Sequence, residues 1–147
     1  MKTRITAAAW ACLLLLPLLA AAENSTRQAG YVVHHNAIPT ALLTPEIASA
    51  YGIIRSKYRG MLSVSVIKQI PNTTGTAVTA RIAASARNLT GQTREIDMRE
   101  VREGEAIYYI GEFPIVHREL LTFTLDVHPE NGPESIKAEL SQEFFID

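Results

Sequence analysis

Residues 121–128 read Leu-Thr-Phe-Thr-Leu-Asp-Val-His, and this strict alternation constrains the chain more than any other feature. Successive side chains of a strand point to opposite faces, so Leu121, Phe123, Leu125 and Val127 share one face, and Thr122, Thr124, Asp126 and His128 the other. A helix would spread both sets around its circumference. The segment therefore reads as a strand with one buried and one solvated face, the pattern of an antiparallel sheet. Ile136, Ala138, Leu140, Phe144 and Ile146 repeat it against Lys137, Glu139, Ser141 and Glu143. Pro129-Glu130-Asn131-Gly132-Pro133 supplies the turn of a C-terminal hairpin.

Further strands are expected upstream. Met61 to Ile70 alternates around Leu62, Val64 and Val66, Pro71-Asn72-Thr73-Thr74-Gly75 interrupts it, and Thr76 to Asn88 resumes with Val78, Ala80, Ile82, Ala84 and Ala86 facing inward. This reads as a second hairpin whose Ala-rich face lets another element approach closely. Arg94 to Gly104 reads as one strand, because Ile96 and Met98 lie two apart. Glu105 to Phe113 is apolar on both faces, as in a strand covered on two sides, and Pro114 ends it. Tyr31 to Ile38, closed by Pro39, is the N-terminal strand, and polar residues 23–29 are expected to fray. Thr44-Pro45-Glu46 is a helix start, with an N-cap, Pro at the first helical position and an acid in the first turn; the helix ends at Tyr51-Gly52. Seven strands and one short helix predict a single all-β domain, an antiparallel immunoglobulin-like β-sandwich, with a barrel or a jelly roll as the alternatives that the same strand pattern allows.

The first residues stand apart. Lys2 and Arg4 precede an apolar run from Ile5 to Leu19, and Ala20-Ala21-Ala22 then meets Glu23, the order of a secretory signal peptide cleaved after Ala22. The run of about 15 apolar residues is shorter than the roughly 20 of a membrane-spanning helix. Removal takes two cations from a formal charge of -1 and leaves -3 on residues 23–147. It also removes the single Cys, Cys12, and the single Trp, Trp10. Thiol catalysis and Cys-based zinc sites are thereby excluded from the mature chain. The expected address is the periplasm, with no stable membrane anchor after processing. The charge balance offers no footprint for nucleic acid.

The chemistry-bearing residues are sparse. His34 and His35 are strand neighbours that point to opposite faces, and no pair among His34, His35, His117 and His128 has the helical spacing of zinc catalysts. Met61 and Met98 are isolated thioethers, better suited to core filling than to copper. No serine sits in a nucleophile elbow, and no phosphate-cradling or dinucleotide motif occurs. No metal and no cofactor is therefore expected. Asn24-Ser25-Thr26, Asn72-Thr73-Thr74 and Asn88-Leu89-Thr90 fit the glycosylation pattern but read as polar turns behind a bacterial-type leader.

Two segments stand out as candidate binding sites. His34, His35 and Asn36 interrupt the apolar run Tyr31 to Pro39, and polar groups there are either satisfied inside the fold or presented to a ligand. Arg55, Lys57, Tyr58 and Arg59 form the densest cationic cluster, suited to an anionic group or an acidic partner face.

Tyr31 to Pro39, with Gly104 to Pro114 and Ser141 to Asp147, resembles an uncharacterised family of exported proteobacterial proteins, domain of unknown function 4426. The resemblance spans the mature region and implies a periplasmic, β-rich domain; it implies no catalytic residue or cofactor. The expected function is a non-enzymatic binding or interaction module, with another envelope protein as its partner. The alternative is an envelope enzyme with a nonstandard acid/base site drawn from His35, Tyr58 and Glu112.

Overall fold

A computed structural model describes residues 24–147. The expected leader, 1–22, and its cleavage point lie outside the described residues. The chain runs through β1 (Ser25–Gln28), β2 (Tyr31–Pro39), a 3-10 turn (Thr40–Leu42), α1 (Pro45–Tyr51), β3 (Arg59–Lys68), β4 (Thr76–Ala77), β5 (Ala80–Arg87), β6 (Thr93–Ile96), β7 (Arg99–Glu103), β8 (Ala106–Pro114), β9 (Glu119–Pro129) and β10 (Ile136–Phe144). All pairings are antiparallel. One sheet has the order β1-β2-β3-β8-β7, with β4 on the end of β3; the other is β10-β9-β5-β6.

The expected sandwich is present, with ten strands instead of seven. The terminal residues expected to fray form β1, which pairs Ser25 with His34 and Gln28 with Tyr31 across a turn at Ala29-Gly30, both at positive φ. The expected hairpin of Met61–Ile70 and Thr76–Asn88 is not formed. Only Thr76 and Ala77 pair with β3, and the chain then crosses so that β5 joins β9 and β6 in the other sheet. The expected strand 94–104 is divided: β6 pairs with β5, and beyond Asp97-Met98 β7 pairs with β8 in the opposite sheet. Gly111 makes room for this crossing, because a Cβ there would lie 2.5 Å from Ile96 Cγ2 and 2.8 Å from the Asp97 carbonyl oxygen.

The C-terminal hairpin follows the sequence reading, with Val127 opposite Ile136 and Phe123 opposite Leu140. Leu121, Phe123, Leu125 and Val127 are buried against Leu62, Val64, Val66, Ala84 and Ala86. Phe113, Phe123 and Phe144 meet edge to face, with centroids 4.9–6.3 Å apart, which favours the ring quadrupoles beyond simple burial.

Strand β8 is covered on both faces, as its sequence predicts. Ile107 and Tyr109 enter the sandwich core, whereas Ile110 packs under Leu43, Ala48, Ile53 and Met61 in a second, smaller core. The lid of that core is α1. Thr44 caps it by accepting the Ile47 N–H at 3.3 Å, and Gly52 ends it at φ 66°. The Ile53 N–H then returns to the Ala48 carbonyl at 2.8 Å, a hydrogen-bonded cap whose two side chains share the small core. The Tyr51 hydroxyl donates to Glu103 and the Arg99 guanidinium to the Tyr51 carbonyl, clasping the lid to β7.

Candidate functional site

Strand alternation separates the three polar residues of β2. His35 shares the inward parity of Tyr31, Val33 and Ala37 and is 6% exposed. Its Nε2 lies 3.3 Å from Thr26 Oγ1 on β1, and its Nδ1 is buried without a hydrogen-bond partner. Burial pulls the imidazole below its ordinary pKa, with like charge on His34 adding to the effect. His34 and Asn36 face outward, in register with Ser65 and Ser63 of β3. Beside them, Arg27, Val32, His34, Ile67 and the 69–74 loop border a cleft of about 550 Å³.

The second candidate cluster lies elsewhere. Asn36 pairs with Ser63, four positions along β3 from Arg59, a separation of about 13 Å at strand rise. The two clusters therefore do not form one site. Within the cationic group, Arg59 Nη2 lies 3.1 Å from Glu112 Oε1, Lys57 donates to the Asp147 carbonyl at 3.0 Å, and Arg55 donates to the Ala41 carbonyl at 3.3 Å. Tyr58 is exposed, with Lys57 Nζ 5.4 Å from its ring centroid. His35, Tyr58 and Glu112, the candidates for acid/base chemistry, are not brought together. His35 faces the core, Glu112 is held by Arg59 on the outer face, and the cleft that Tyr58 lines contains neither.

Two clusters escaped the sequence reading. On the solvated face of the C-terminal hairpin, Asp126 accepts from the Ser135 hydroxyl and from Lys137 Nζ at 2.7 Å, with His128 Nε2 at 3.2 Å. The lysine and the serine hold its pKa at about 2. Ser135 gives its proton to a carboxylate rather than to an imidazole, so it is not arranged as a base-activated nucleophile. Nearby, a cleft of about 690 Å³ is bordered by Arg81, Glu100, Tyr109, His128, Glu130 and Glu134. The Tyr109 hydroxyl at its floor accepts the Ala80 N–H at 2.8 Å and donates to Glu100 at 3.3 Å, and burial raises its pKa.

The other cluster emerges from the connectivity. Strands β2 and β8 end, and β3 and β9 begin, at one end of the sandwich, which also holds the ends of β5 and β10. The connections there carry Leu42, Ile54, Tyr58, Leu89, Val116 and Phe145, each 57–83% exposed. Thr40 Oγ1 donates to the Ile54 and Ser56 carbonyls, bringing the flanks of the lid together, and the Ile115 N–H donates to the Tyr58 carbonyl. The rings of Phe145 and His117 meet edge to face at 6.3 Å, and His117 Nδ1 accepts the Ile146 N–H at 2.9 Å. A concentration of exposed apolar side chains in one region marks a contact surface, whereas single ones are ordinary.

Fold and site together define a two-layer antiparallel sandwich that presents a loop end rich in exposed apolar side chains. The sequence profile of a domain of unknown function, DUF4426, matches residues 25–147, and the chain belongs to that family. A crystal structure of a DUF4426 family protein from Pseudomonas aeruginosa PAO1 is 34% identical, covers 84% of this chain and 94% of its own, and superposes with a TM-score of 0.71. FetP of uropathogenic Escherichia coli strain F11, recombinantly expressed in the periplasm, shares the fold at 8% identity, covering 82% of this chain and 92% of its own with a TM-score of 0.59. A copper-bound FetP variant gives 9% identity, 82% and 93% coverage and a TM-score of 0.60. No curated protein matches the chain.

Proposed function

We propose that this chain is an exported, non-enzymatic binding module of the periplasm that docks through the loop end of its sandwich. The observation that supports this reading is the gathering of Leu42, Ile54, Tyr58, Leu89, Val116 and Phe145 at one end of the fold, beside Arg55 and Lys57. Aromatic and Arg side chains are enriched where binding energy concentrates, and loops carried on a rigid sandwich are where such modules place their contacts. The leader at residues 1–22 and the resemblance of the whole mature region to an exported family support the address. Copper, named for the FetP variant, is not part of the proposal. Met61 packs beneath the α1 lid and Met98 against the sandwich core, so the two thioethers lie on opposite faces of one sheet.

Site-specific photocrosslinking in intact envelopes tests the docking end. Probes at positions 58 and 145 are expected to give reproducible adducts, and probes at Glu105 and Glu134, at the opposite end, are not. Equal labelling from both ends, or none from either, would overturn the proposal.

A further inference from the structure

We infer that a cleft between the two layers of the sandwich binds a short zwitterionic peptide with an apolar side chain. The cleft, of about 500 Å³, opens beside the 88–92 turn and falls in the size range of small-molecule sites. Ala86 and Leu121 from one sheet and Phe113 from the other give it an apolar floor. Of the six exposed apolar residues of the docking end only Val116 borders it, so the site goes beyond the docking reading and does not depend on it.

Strand register turns two opposite charges into this gap. Arg94 of β6 pairs with the buried Ala86, and Ile96, two positions on, is buried in the core, so Arg94 has the inward parity of its strand. Glu119 shares the parity of Leu121 and Phe123 and pairs with the buried Phe144. Both border the cleft, and among the described residues neither side chain has a hydrogen bond or ion pair. An inward charge on an edge strand such as β6 also discourages pairing with other chains. Strand β9 lies inside its sheet, however, and Glu119 has no edge to protect.

The Asn88 amide shows what the cleft offers at the Arg94 end. Its Oδ1 accepts the Gln92 backbone N–H at 2.9 Å, which fixes its orientation, so its Nδ2 donates to Gln92 Oε1, also at 2.9 Å. Gln92 is left with N–H donors alone, two positions before the Arg94 guanidinium. Donors without acceptors suit a carboxylate, and the Glu119 carboxylate suits an ammonium. Arg94 pairs with Ala86, Ala86 with Phe123, and Phe123 lies four positions from Glu119. Two strand spacings and four residues of rise put the Cα atoms of Arg94 and Glu119 roughly 16 Å apart. The two heads do not meet, and two or three extended residues, about 7–11 Å long, bridge them with the carboxyl end at Arg94, the amino end at Glu119 and an apolar side chain on the floor.

Calorimetric titration of the processed protein with dileucine and trileucine tests this. Both are expected to bind more tightly than free leucine. Amidating the carboxyl end or acetylating the amino end is expected to weaken binding at least about tenfold, the worth of a hydrogen bond to a charged group. Arg94→Gln is expected to remove the penalty for amidation and keep that for acetylation, and Glu119→Gln to do the reverse. Melting is expected to be unchanged in both variants, because neither side chain has a partner to lose. No heat with either peptide, binding indifferent to blocked ends, or the same loss for every form of the peptide in both variants would overturn the proposal. Free leucine binding as tightly as dileucine would overturn the assignment to a peptide. Crosslinking from positions 58 and 145 reads the docking end separately.

Discussion

Thr26 Oγ1 lies 3.3 Å from Nε2 of His35, so the edge strand β1 is tied to the inner face of β2 through an imidazole whose other nitrogen has no partner. A neutral ring tolerates this position. A protonated one would place a charge and a second N–H in the core with no acceptor for Nδ1.

The pH consequence follows from linkage. Burial lowers the folded-state pKa of His35 below its unfolded value of 6.5, so the unfolded chain takes up this proton first. Stability is therefore full above about pH 6.5 and falls as pH drops through that value. Urea unfolding at pH 7.5 and pH 5 is expected to show the loss, and a His35→Leu variant to show a flatter profile. An identical slope in the variant would refute the assignment to His35.

Asp126 loses its contribution in the same direction, toward acid, but in a lower pH range and because its charged form is the favoured one. Its pKa of about 2 lies below the ordinary 3.8, so its contribution is present above about pH 4 and is lost as pH falls through 2. Asp126→Asn is expected to cost about 0.2–1 kcal/mol at pH 7, the range for solvent-exposed pairs. The cost should shrink in high salt and vanish near pH 2. A cost independent of salt would show that packing, not charge, holds the 129–135 turn.

Gly111→Ala probes the crossing between sheets. The added methyl would meet Ile96 Cγ2 at 2.5 Å, Met98 Sδ at 2.7 Å and the Asp97 carbonyl oxygen at 2.8 Å. The side chains can turn aside; the backbone oxygen cannot without moving the strand. A loss of about 2–3 kcal/mol is expected, at the upper part of the overpacking range. Thermal unfolding measures it, and a shift within error would place the crossing elsewhere.

Phe123 meets both Phe113 and Phe144 edge to face and is fully buried. Phe123→Ala is expected to cost about 3–5 kcal/mol, enough to unfold a domain of ordinary stability at moderate temperature. Phe123→Leu should retain most of the fold, and equal losses in the two variants would mean that the edge-to-face contacts outweigh the volume.

What could be read from the sequence follows the range of the interactions concerned. The phase of β9 and β10, the bounds of α1 and the double burial of β8 depend on local periodicity and capping, and Leu121 to Val127, Thr44 and Ile110 show it directly. The partner of a strand does not. Pro71 to Gly75 has the chemistry of a hairpin turn, yet beyond Thr79 the chain passes to the other sheet, where β5 pairs with β9 from Ala80 to Arg87. Arg94 to Glu103 alternates as one strand would, and nothing local marks Asp97-Met98 as the point where it changes layers. For the candidate site, the opposite faces of His34 and His35 followed from strand geometry, and Arg55 to Arg59 were flagged by charge. Leu89, Val116 and Phe145 carried no signal of their own, since their association with Tyr58 exists only once connections far apart in sequence meet at one end of the fold.

The passage of one ribbon from β6 into β7 makes the sandwich resemble a book with a sewn spine. On that side the two layers are covalently continuous and cannot part without breaking ladders in both sheets. On the other side, β10 lies against β1 and β2 with no such stitch. Parting of the layers is therefore opposed most directly at the Asp97-Met98 spine, whereas at the fore-edge it needs only the packing of β10 on β1 and β2 to be lost, with Thr26 and His35, on paired strands of one sheet, leaving together.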